Sequence, residues 1–170
     1  MQEDFLKGKF YNPTCGQIVL NEVLQEIVAY MKEKPEKFYN LVVGCDSSSE
    51  EYPNFPVALV ILRTGEGGRF FLKKIFYKDR KFHTWKTRIL QEVFLSCQMA
   101  SFLKEKIEGK IREANGNPNY EFRYIHADVG ENGVTRDMIK EVTGLIRGNG
   151  FEPQIKPHSY AASVVADKFS

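Results

Sequence analysis

Three apolar runs joined by short polar links constrain this chain more than any other feature. The runs lie at 41–46, 56–63 and 69–77, and the links are SSSEEYPN and TGEGG. Links this short join neighbouring antiparallel strands, so the spacing predicts a three-strand meander. A helix with Thr84 as N-cap is predicted over 84–110. ANGNPN then breaks the pattern, and a strand, YEFRYIHAD, is expected at 120–128. A glycine-containing loop leads to a helix at 134–147, FEPQIKP reads as a last short strand, and Ser159 caps a final helix, YAASVVADKF. Ahead of the meander, GQIVLNEVLQEIVAYMKE at 16–33 puts Val19, Val23, Leu24, Ile27, Val28 and Met31 at helical spacing, with Pro35 beyond.

The resulting order is α-βββ-α-β-α-β-α. Helical crossovers join parallel strands. If 120–128 pairs with 41–46, the strand order reverses between them. Open α/β sheets bind ligands beside the carboxyl ends of strands at such a switch point. Both strands end on an aspartate, Asp46 and Asp128. Either alone reads as a turn residue. Side by side, like charges about 4 Å apart repel by roughly 4 kcal/mol at an effective dielectric near 20, so the pair needs a cation or a raised pKa. Glu92 borders the buried stripe of the long helix, where it either snorkels to water or faces the site. Asp167 follows Val164 by one turn and borders the side carrying Tyr160 and Val164; read alone it is a solvated terminal residue. Four carboxylates so placed suit magnesium or manganese, in a pair of ions that clamps both oxygens of a phosphodiester.

The 170 residues suit one compact domain, with 1–40 as a helical extension packed on a core of 41–170. Cys15, Cys45 and Cys97 form no CxxC pair, no signal-like stretch opens the chain, and the longest apolar run, VALVIL, is too short to span a bilayer. A soluble cytoplasmic protein without a membrane partner is the expectation. Net charge is +2, yet residues 73–88 carry +6 against −4 for the rest. There Lys73, Lys74, Lys78, Arg80, Lys81, Lys86 and Arg88 interleave with aromatics, including Trp85. Basic residues track phosphates and aromatics stack on bases. The same pattern also describes an edge strand guarded by lysines.

VVGCDSS, ILQEVFLS, YIHADVGENGVTRDMIKEVTGLIRGNG and IKPHSYAASVVADK together resemble the YkuK family of predicted nucleases, in the ribonuclease H-like superfamily. The resemblance runs from about residue 10 to residue 168. It implies a mixed five-stranded sheet, an antiparallel three-strand meander plus two parallel strands, flanked by helices with an extra N-terminal helix. It also implies that Asp46, Glu92, Asp128 and Asp167 bind two magnesium or manganese ions, and that hydrolysis leaves a 5′-phosphate. Cys45 stands where threonine is usual in the family. Ser48 excludes the DxE pair of proofreading-type exonucleases. His126 shares a strand face with Asp128 and is either a core residue or an aid to proton transfer. GENGVTRD at 130–137 either receives a phosphate or simply starts a helix, with Asp137 suiting its dipole. It faintly resembles the phosphate loops of actin-like ATPases, but those need two such domains. The implied activity is metal-dependent cleavage of RNA or DNA. A non-catalytic nucleic-acid-binding protein and a nucleotide phosphoesterase are the alternatives.

Overall fold

The computed structural model describes residues 5–170. Its centre is the meander. Strands β3 (Phe38–Cys45), β4 (Asn54–Arg63) and β5 (Gly67–Phe76) pair antiparallel in sequence order. Leu41, Val43, Val57, Leu59 and Ile61 enter one large core, while Val42, Ala58 and Val60 are buried on the opposite face. β4 is therefore covered on both sides, which is why it reads as an unbroken apolar run rather than an alternation. Each fully buried side chain of this kind contributes about 1.5–3 kcal/mol.

The crossover helix is the longest element, α2 (Trp85–Glu113). Thr84 Oγ1 accepts a hydrogen bond from the Thr87 N–H and caps it. β6 (Asn119–His126) then pairs parallel to β3, and β7 (Glu152–Gln154) pairs parallel to β6. Between them lie a 3-10 turn, Val134–Met138, and helix α3 (Ile139–Gly148). The order β5-β4-β3-β6-β7 reverses at the β3/β6 junction, so the expected switch point is present.

The sheet has seven strands, two more than the sequence predicts. β1 (Lys9–Asn12) and β2 (Gly16–Val19) form a hairpin whose first strand pairs with β5. Asn12 Oδ1 accepts from the N–H groups of Thr14 and Cys15 and holds the turn, and its amide donates to the Phe70 carbonyl on β5. Helix α1 therefore starts at Leu20 and runs to Glu33, and Val19 is an exposed cap rather than part of its buried face.

The final helix also differs from its expected form. Ala161–Ala166 is wound as a π-helix, continuing as a 3-10 turn, Asp167–Phe169. Its wider i→i+5 repeat buries Ala161, Ala162 and Ala166 and leaves Val164 64% exposed. This terminal helix packs across β3 and β4 on the face away from α2. Gly44 makes that approach possible, since a Cβ there would stand 2.5 Å from the Ala162 nitrogen and 2.7 Å from the Ala161 carbonyl carbon.

Candidate metal and nucleic-acid site

The alternation of β3 continues past its end and sends consecutive residues to opposite layers. Val42 and Gly44 lie under the terminal helix, and Asp46 continues that side, where its carboxyl hydrogen-bonds with Asp167. Ser47 turns towards α2. Its N–H and hydroxyl both donate to Glu92 Oε1, at 3.0 and 2.5 Å. Both recognised bonds to the buried Glu92 carboxylate thus fall on one oxygen. Asp128 stands two residues beyond β6, and its Oδ1 is buried. Lys156 Nζ lies 3.1 Å from that oxygen as an ion pair, in an orientation that leaves Oδ1 without a well-formed hydrogen bond.

These carboxyl groups affect one another's ionisation. Burial, then the Glu92 charge, then the hydrogen bond with Asp167 and the Asp128 charge push Asp46 up to about 8. Burial pushes Glu92 up to about 7, against the two Ser47 bonds and with help from Asp128. Asp46 and Glu92 therefore keep protons that ordinary carboxyls lose near pH 4. Among the described residues, no three His, Cys, Asp or Glu side chains converge closely enough to ligate one ion.

His126 is buried. Its Nδ1 accepts from the Ala161 N–H at 3.1 Å, and its ring meets Tyr160 edge-on at 4.5 Å. Burial lowers its pKa to about 4, against an opposing contribution from Gln154, its register partner on β7; Nε2 has no well-formed hydrogen bond. A neutral ring fixed in this way anchors the start of the terminal helix.

The basic segment does not form one track. Lys73 is a correction: it is 7% exposed and donates to the Lys7 carbonyl, so it is turned away from solvent. Lys81 pairs with Glu51 at 3.0 Å. Arg80 lies over the rings of Tyr77 and Phe82, which pack with Phe55 in the core. Trp85 is half-buried with Lys86 over its ring, and Lys78 is exposed. Arg88 is half-buried one turn before Glu92, and its charge favours the ionised carboxyl there. Lys74 faces the opposite side of β5, in a cleft beside the terminal helix. In the 130–137 loop, the Gly130 N–H donates to Thr135 Oγ1, so that donor is already used.

Sequence reasoning missed three contributors. Ser47 orients Glu92, and only its place directly after Asp46 hints at this. Gly44 admits the terminal helix, and a glycine inside an apolar strand is the usual sign of a close approach. The β1–β2 hairpin was signalled by Asn-Pro followed by Gly16, but Val19 also fits the helical period that follows.

The family model described as "Ribonuclease H-like" matches residues 22–170. A protein of Bacillus subtilis (strain 168), "Uncharacterized protein YkuK", is 31% identical over 175 aligned positions, covering 100% of this chain and 99% of that protein. No solved structure matches the chain significantly.

Proposed function

We propose a function from one premise: the chain belongs to the ribonuclease H-like family, in the YkuK branch. It is a divalent-metal-dependent nuclease that hydrolyses phosphodiester bonds. The observation that carries this reading is the placement of Asp46 beside Glu92, Asp167 and Asp128, which adds to burial in lifting its pKa to about 8. Carboxyls held together in this way, with Glu92 buried, Asp46 and Asp128 half-buried and Asp167 exposed, are retained at a cost in stability, and a cation removes that cost. The donors are all carboxylate oxygens, the chemistry magnesium and manganese prefer. Asp128 Oδ1, buried without a well-formed hydrogen bond, has the Lys156 ammonium beside it, and a metal cation would take that ammonium's place.

Asp46, Glu92, Asp128 and Asp167 would hold the ions. When bound, such ions lower the pKa of a water and offset charge on the leaving oxygen. Ser47 fixes Glu92 by one oxygen and leaves the other for a ligand. Lys156 must leave Asp128 as the site loads, and its ammonium is then available to a phosphate. His126, neutral and bonded to the Ala161 N–H, holds the start of the helix that carries Asp167 rather than moving a proton.

The test is calorimetric titration of manganese and magnesium into wild type and into Asp46→Asn with Asp128→Asn, alone and with a nuclease-resistant oligonucleotide. Binding by wild type, loss in the variant with the fold intact, and metal-dependent cutting of an unmodified oligonucleotide support the reading. Silence of wild type in both titrations refutes it. The Lys156–Asp128 pair favours one second reading, a protein that binds nucleic acid with its carboxylate site closed. That protein would hold the oligonucleotide equally well in the double variant.

A further inference from the structure

Beside the terminal helix, on the face of the sheet away from α2, lies a cleft of about 370 Å³ lined by Lys9, Tyr11, Gln17, Leu72, Lys74 and Phe169. β2, β1 and β5, side by side in the sheet, form its floor, and Phe169 of the terminal helix forms its wall. Tyr11 pairs with Leu72 in antiparallel register. Two residues along, Lys9 and Lys74 therefore come opposite each other on the same face. Both are exposed, and no carboxylate among the described residues pairs with either. Like charges facing across a strand pair are destabilising, and an anion between them reverses the sign.

The anion is a phosphate of a polymer, because the carboxylate site lies close by on the same face of the sheet, with Asp46, Pro56 and Lys74 in line across β3, β4 and β5. Asp167, hydrogen-bonded with Asp46, is two residues before Phe169 on the terminal helix. Along the sheet, Lys74 on β5 and Asp46 at the end of β3 are separated by β4 alone, or two strand spacings of about 5 Å each. A few nucleotides of an extended strand bridge that gap. Tyr11 and Phe169 are half-buried aromatics, 5.7 Å apart between ring centres, that present ring surface to an unpaired base. A duplex keeps its bases paired and stacked, and offers no free base face to Tyr11 and Phe169.

We propose that this cleft holds single-stranded nucleic acid flanking the bond to be cut, with Lys9 and Lys74 on its phosphates. The inference rests on the nuclease reading and deepens it. The test uses Lys9→Gln with Lys74→Gln. The comparison variant, Lys32→Gln with Lys106→Gln, removes two exposed charges from the helical side. The probes are short nuclease-resistant RNA and DNA oligonucleotides, single-stranded and duplex, titrated over a range of salt. The cleft variant should lose about tenfold in single-strand affinity near ~0.1 M salt, and its salt slope should fall by roughly 1.4, the value for two phosphate contacts on a single strand. Manganese binding and the comparison variant should stay at wild-type values. Unchanged single-strand affinity and slope, or an equal loss on duplex, overturns the cleft. Metal-dependent cutting that is undiminished in the cleft variant removes the cleft and keeps the nuclease. Single-strand binding that depends on Lys9 and Lys74, in a protein that neither binds manganese nor cuts, keeps the cleft and removes the nuclease.

Discussion

Loading the carboxylate site with manganese should release protons, in an amount that depends on pH. Asp46 titrates at about 8 and Glu92 at about 7 in the metal-free fold. At pH 7 the first is about nine-tenths protonated and the second about half, so roughly 1.4 protons leave when both carboxylates take a cation. At pH 9 the same sum is about 0.1. Affinity should rise accordingly between pH 6 and 9, by about tenfold if only Glu92 must ionise and by up to about a thousandfold if both must. The sign for stability follows. Both groups have folded pKa values above their unfolded ones, so their protonated forms favour the fold. That favourable term fades as pH rises from the ordinary carboxylate range through about 7 and 8, and bound manganese offsets the loss. Calorimetry in buffers of different ionisation enthalpy counts the protons, and thermal melts with and without manganese follow the stability. Tight binding with no proton release at pH 7, or an affinity flat from pH 6 to 9, would refute the crowding argument.

Gly44→Ala should destabilise by about 1–3 kcal/mol in urea, because its Cβ would collide with the backbone of Ala161 and Ala162. It should also weaken manganese binding by displacing Asp167; an unchanged midpoint and affinity would contradict the close approach. Ser47→Ala removes a hydroxyl that favours ionised Glu92. The pH midpoint of manganese binding should therefore move upward, and a midpoint that stays put assigns the effect to the remaining N–H. Arg63→Met removes a buried guanidinium that donates to the Tyr30 carbonyl, the Tyr39 hydroxyl and Glu33. It should cost about 2–3 kcal/mol of stability with no change in metal affinity, since Arg63 lies at the opposite end of β4; reduced affinity in the folded protein would show that this end is coupled to the site.

The meander is legible in the sequence because both its signals are local: apolar runs of strand length and links too short for a crossover. The ends of β3 and β6 are legible for the same reason, which makes Asp46 and Asp128 visible as a pair once parallel pairing is supposed. What one helical period cannot reveal is a change of winding. Asp167 is reached by a π-helix that buries Ala161, Ala162 and Ala166 rather than Val164. Charge counting fails at residues 73–88 for a related reason. Formal charge says nothing of direction, and Lys73 and Lys74 leave β5 on opposite faces. One ends in a buried bond to the Lys7 carbonyl and the other in the cleft.

The hairpin at the start of the chain also bears on solubility. Without it, the ten-residue β5 would be the outermost strand, with its backbone donors and acceptors bared along the side that now meets β1. A long open edge of that kind templates strand addition from a second molecule. As the sheet stands, its outermost strands are the four-residue β2 and the three-residue β7 with Pro153 at its centre, and the four-residue β1 covers the middle of β5 around Leu72. A chain lacking residues 1–19 should therefore self-associate through β5, and light scattering against concentration would follow it.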